Sequence, residues 1–190
     1  MRRDEAWSLV CQHVRSESLR KHLLAVEACM RFYARTLGED EELWGVVGLL
    51  HDFDYERWPE PPEHTRKGAE ILLAHGVDEE IVGAILSHAD WNASDYPRDR
   101  PLRRALFAVD ELSGFLVACA LVRPQRFEGL EPASVRKKLK TPSFAAAVSR
   151  QDIQRGAELL GLDLDQHIAN CIQALRQAAD SLGLAPAGKA

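Results

Sequence analysis

The sequence predicts an all-α protein, on three observations. Apolar residues recur at three- and four-residue steps along most of the chain. No period-two alternation persists for the length of a strand, and residues that cap helices, such as Gly38 and Asp78, bound the periodic segments.

Taken in order, residues 4 to 14 read as a modest amphipathic helix with Trp7, Val10 and Val14 on one face. From Ser18 to about Leu37, the positions Leu19, Leu23, Val26, Met30 and Tyr33 form a stripe that Gly38 closes, and His22 lies on that stripe. The helix from about Asp40 to Asp52 is apolar almost all round, which marks it as central; Gly45 and Gly48 allow close approach of neighbouring helices. Residues 53 to 63 carry Pro59, Pro61 and Pro62, so a loop follows. His64 opens a helix that runs to about His75 and stops at Gly76, and Asp78 caps one whose inward positions Ile81, Val82 and Ile85 continue to His88. After a polar, turn-rich stretch to Pro101, a long helix from Leu102 carries Leu106, Val109, Ser113, Leu116 and Ala120 inward, with Asp110 on the same face. Shorter helices follow Arg123-Pro124, then a final amphipathic helix from about Leu164 to Leu182, and the residues from Gly183 read as a disordered tail.

Composition narrows the function. With 24 basic and 29 acidic residues the net charge is -5, which gives no overall attraction to a nucleic-acid polymer or an anionic membrane. No run approaches the ~20 apolar residues of a membrane span and no apolar signal core follows the first residues, so a cytoplasmic protein is expected. The four cysteines, Cys11, Cys29, Cys119 and Cys171, are scattered on helical segments and read as buried free thiols.

The sharpest signal is His51-Asp52, which closes the most apolar helix. A carboxylate emerging there costs several kcal/mol of desolvation unless a cation meets it. A carboxylate in the long apolar face around Asp110 poses the same problem. His22, His51, Asp52, His64, His88 and Asp110 thus form a candidate metal set on separate helices. Imidazole with carboxylate suits one or two divalent transition ions, Fe, Mn, Zn, Co or Ni, rather than Mg or Ca.

The order H...HD...H...H...D, with the HD pair ending a buried helix, resembles the HD-domain superfamily of metal-dependent phosphohydrolases. His64 and His88 resemble the additional histidines of its two-metal branch, in which the aspartate of the pair bridges the ions. DELSGF, ALVRP and SVRKKLK are similar to stretches of a group of bacterial predicted hydrolases of that superfamily. The resemblance runs from about Leu19 to Ile168. It implies an HD-type helical bundle with additional C-terminal helices: one domain over 1–182, with a metal-site core at about 18–122 and an extension at about 123–182, and a tail over 183–190. Two departures narrow the activity. Tyr96-Pro97 lacks the glycines of the GYP motif of cyclic-dinucleotide phosphodiesterases, and Tyr55-Glu56 stands where alarmone hydrolases carry Glu-Asp.

The expected reaction is hydrolysis of a small phosphomonoester or phosphodiester, a nucleotide or similar molecule, by a metal-bound hydroxide, since paired ions bring the pKa of bound water to about 7. Asp54 and Glu56, just past the HD pair, are candidates beside Asp52 for proton transfer. Arg57, Arg66, Lys67 and Arg98 are candidates for holding substrate phosphate, and the run Arg136 to Lys140 reads as a solvated helix face. The same ligand set also suits a di-iron oxygenase or a non-catalytic metal-binding module. The C-terminal helices would permit a homodimer.

Overall fold

The computed structural model describes residues 1–186, and every regular element among them is helical. The elements are α1 (Arg3–His13), α2 (Glu17–Leu37), α3 (Glu41–Leu50), α4 (Glu63–Ala74), α5 (Glu79–Leu86), α6 (Pro101–Leu121), α7 (Pro132–Leu139), α8 (Arg150–Leu159) and α9 (Leu164–Gln177), with one 3₁₀ turn at Asp90–Asn92. The chain is therefore all-α, and no helix among the described residues is long and apolar enough to cross a membrane.

Local chemistry sets most of the boundaries. The Ser16 hydroxyl accepts from Leu19 N to start α2, and Gly38 ends it at φ 74°, in the left-handed conformation that a glycine takes without a Cβ penalty. The Asp40 carboxylate accepts from Glu42 N and Leu43 N to start α3, and Asp78 does the same for α5 through Glu80 N. Pro101 begins α6, where its missing N–H costs nothing.

Helix α3 is buried from Trp44 to Leu50 and packs chiefly against α2, which also lies on α6 and α9. A Cβ at Gly48 would stand 3.0 Å from Met30 Cγ and 3.1 Å from the Glu27 backbone, so the absence of a side chain sets the α2–α3 spacing. One apolar core runs from Ala6 to Leu184 and includes residues of α8 and α9. Leu182 and Leu184 are buried in it, so the chain stays packed past the expected end at 182, although regular helix stops at Gln177. Residues 187–190 of the expected tail lie outside the described residues. Cys29, Cys119 and Cys171 are buried and Cys11 partly so, all with free thiols.

Three boundaries near the HD pair differ from expectation. Helix α3 ends at Leu50, and 51–57 is a chain of turns. The regular part of α4 begins only after His64 and Thr65, whose backbone is not helical. Helix α5 ends at Leu86, two residues before His88. Each difference frees a ligand-type side chain from the helix direction.

Candidate metal centre

Five segments bring the six expected residues together: α2 carries His22, the turn after α3 His51 and Asp52, the start of α4 His64, the turn after α5 His88, and α6 Asp110. Two overlapping groups result, and Asp52 belongs to both. In one, His22 Nε2 lies 3.2 Å from His51 Nε2 and 3.1 Å from Asp110 Oδ1. His51 Nε2 stands 3.4 Å from Asp110 Oδ1 and 3.6 Å from Asp52 Oδ2. In the other, His64 Nε2 and His88 Nε2 each stand 3.2 Å from Asp52 Oδ1. Asp52 thus turns one carboxylate oxygen to each group.

The second nitrogens explain why these Nε2 atoms face inward. His51 Nδ1 donates to Gly48 O at 2.8 Å and His88 Nδ1 to Ile85 O at 2.6 Å. His64 Nδ1 donates to Asp54 Oδ1 at 3.1 Å. A neutral imidazole that donates from Nδ1 offers a lone pair at Nε2. His64 and His88 therefore aim lone pairs at the Asp52 Oδ1 atom, which is buried and has no hydrogen-bond partner. That arrangement is repulsive unless a proton on Nε2 or a metal ion lies between them. Two ligands about 2.1 Å from one ion stand roughly 3.0 to 3.4 Å apart at angles of 90 to 109°. The separations within both groups lie close to that window, so the residues fit a divalent ion.

The electrostatics carry the same demand. Burial disfavours a charged His51, yet the Asp52 and Asp110 carboxylates outweigh it and push the imidazole up to about 9. His64 is likewise opposed by burial but raised to about 9 by Asp52 and Asp54. Asp52 and Asp110, although burial raises them, are held well below the usual carboxylate range, in each case with His51 as the leading favourable neighbour. Ser113 Oγ donates to the Asp110 carbonyl, which leaves the Asp110 carboxylate to the histidines.

Asp54 differs from expectation. It is fully buried, and Oδ2 accepts from Thr65 N at 2.8 Å and Gly68 N at 2.9 Å while Oδ1 takes His64. It orients His64 and caps α4 from across the turn, with no free oxygen for proton transfer to a substrate. The same contacts hold Thr65 at φ 68°, a conformation costing about 1–3 kcal/mol that persists only under such constraint. Asn92 adds to it by donating to Thr65 Oγ1 at 2.9 Å. Glu56 also lies elsewhere: its carboxylate accepts from Arg15 N and Ser16 N and fastens the α1–α2 turn.

The expected phosphate-holding cations are mostly engaged. Arg98 gives Nε to Ser87 O, Nη2 to His88 O and Nη1 to Asp90, so it anchors the backbone at His88. Lys67 pairs with Glu70 at 2.8 Å, and Arg57 lies over the Trp58 ring. Arg66 is exposed, two residues beyond His64. In the basic run, Arg136 pairs with Asp165 and Lys138 lies over Phe144.

Sequence reasoning did not single out the aromatic rim or the wall beyond it. Tyr55 and Trp91, 44% and 43% exposed, stand with ring centroids 5.0 and 5.8 Å from that of His64. Glu111, next to Asp110, accepts from Ser149 N at 3.0 Å, and burial together with Asp110 raises its carboxyl. On α8, Arg155 Nη1 bridges Asp90 and Asp152. An exposed aromatic or a helix-surface acid carries no sequence signal that distinguishes these positions from ordinary surface.

No curated protein and no solved structure matches the chain. The family model described as HD domain matches residues 19–114, just over half of the 190 residues, and that span contains all six converging side chains. HD domains bind divalent metals and are generally metal-dependent hydrolases. With this match joined to the paired histidine–carboxylate groups, the chain belongs to the HD domain family.

Proposed function

We propose that this protein is a metal-dependent phosphohydrolase that cleaves the P–O bond of a small phosphoester with water, releasing an alcohol and a phosphate. The observation that carries the reading is the shared carboxylate: Asp52 directs Oδ1 at His64 and His88, and Oδ2 at His51. His22, His51, Asp52 and Asp110 would hold one ion, and Asp52, His64 and His88 a second. When bound, such ions supply Lewis acidity and acidify a coordinated water.

The protein's own contribution is orientation. The Gly48 and Ile85 carbonyls and the Asp54 carboxylate hold three imidazoles in the tautomer that presents Nε2. The rings of Tyr55 and Trp91 pack against the His64 imidazole and support its position.

The test is metal analysis of untreated protein, followed by phosphate release from a panel of mono- and diesters with Mn, Co or Ni. Two ions per chain, phosphate release and its loss in folded Asp52→Ala are the expected results. Two irons with substrate-dependent oxygen consumption and no phosphate release would overturn the reading in favour of an oxygenase. Folded, metal-loaded protein inactive in both assays would make the site structural or sensory.

A further inference from the structure

We propose that the substrate carries a single phosphoryl group on a short cationic remainder, as in an amino-alcohol phosphate; this rests on the phosphohydrolase reading and names its substrate class. A cavity of about 200 Å³ opens from His88 and Asp110 and is walled by Asp90, Trp91, Glu111 and Asp152. Pockets for drug-sized ligands span about 300–1,000 Å³. Beyond a phosphoryl group at the metal centre, this one suits a few heavy atoms better than a base with its sugar.

The charged part of the wall is all carboxylate. The nearest guanidiniums stand behind it: Arg98 is spent on two carbonyls and Asp90, and Arg155 Nη1 bridges Asp90 at 3.0 Å and Asp152 at 2.8 Å. Both lie over the Phe107 ring, at 3.8 and 5.0 Å, which fixes them in that position. Asp90 is therefore matched by two arginines, whereas Glu111 is not matched by any. Its Oε2 accepts the Ser149 N–H, and among the described residues Oε1 has no donor.

The half-exposed indole of Trp91 faces the same space. A carboxylate beside an aromatic face is the combination that holds an ammonium. The same wall repels the second and third phosphates of a nucleoside polyphosphate, and no uncommitted cation lines the cavity to receive them. Asp152 and Arg155 belong to α8, outside the matched HD segment, so this chain's own extension closes one side of a wall whose other residues lie within that segment.

The test compares O-phosphoethanolamine with glycerol phosphate and with nucleoside mono-, di- and triphosphates on the protein as purified. It uses calorimetric binding and turnover in parallel, for wild type and for Glu111→Gln, which keeps an acceptor for Ser149 N. At least tenfold preference for phosphoethanolamine in binding and in kcat/KM, reduced severalfold or more by Glu111→Gln, is expected. Equal or better use of glycerol phosphate or nucleotides, or a preference unchanged by Glu111→Gln and by Asp152→Asn, overturns the inference alone. Preferential binding without turnover of any phosphoester overturns the phosphohydrolase reading and, with it, the inference that rests on it.

Discussion

The Asp54 carboxylate stands 3.1 Å from His64 Nδ1 and at the same time caps the backbone of α4, so one buried side chain fixes both a ligand-type imidazole and the helix that presents it. Removing such a partner in other metal sites lowers affinity about 10- to 100-fold. Asp54→Asn is expected to weaken metal binding by at least tenfold in a chelator competition. It should also lower stability by about 1–3 kcal/mol, because one amide oxygen cannot serve three donors. Unchanged metal affinity would show that His64 is held by packing alone.

The two groups sharing Asp52 make separable predictions for stoichiometry. His88→Ala removes a residue of one group only and is expected to reduce bound metal from two ions to one, measured by elemental analysis, while His22→Ala does the same from the other side. Asp52→Asn belongs to both and is expected to lose both ions. Complete loss in each single-histidine variant would point to one indivisible site.

Close approach of α8 to α6 should be intolerant of a methyl group. A Cβ at Gly156 would lie 2.6 Å from Ala108 Cα, a backbone atom that cannot swing aside. Gly156→Ala is expected to cost about 1–3 kcal/mol of overpacking. The melting temperature should fall by about 2–4 °C for each kcal/mol. Because Ala108 precedes Asp110 by two residues, metal affinity should fall with it.

His167 supplies a pH dependence. Fully buried, it accepts the Tyr33 hydroxyl at Nδ1 and donates Nε2–H to Ala108 O, and burial lowers it to about 4 despite that carbonyl. Unfolded, it titrates at about 6.5. Between those values the unfolded chain binds the extra proton, so the contribution is complete above about 6.5 and is lost as pH falls through about 4. Denaturant titrations are expected to show the metal-free wild type losing about 3 kcal/mol more than His167→Gln over that interval. Parallel curves would remove His167 from the account.

By itself the sequence determined the all-α class, the burial of α3 and the six residues that converge. Each is a local or periodic property: three- and four-residue spacing, cap residues, and charged groups set in apolar stretches where desolvation demands a partner. The tertiary structure decided the rest. Whether Asp54 meets substrate or the back of His64 depends on how the turn after Asp52 crosses the start of α4, and no spacing encodes that crossing. Arg98 reads in sequence as a candidate for holding substrate phosphate; only the packing of its loop on α6 shows a guanidinium spent on backbone carbonyls at Ser87 and His88. Glu111 lies one residue from Asp110, yet its place in the cavity wall depends on α8, which arrives from about forty residues further along the chain. Contacts between distant segments are set by the summed fit of the core, and there the tertiary structure separates a ligand from its support and a surface charge from a wall.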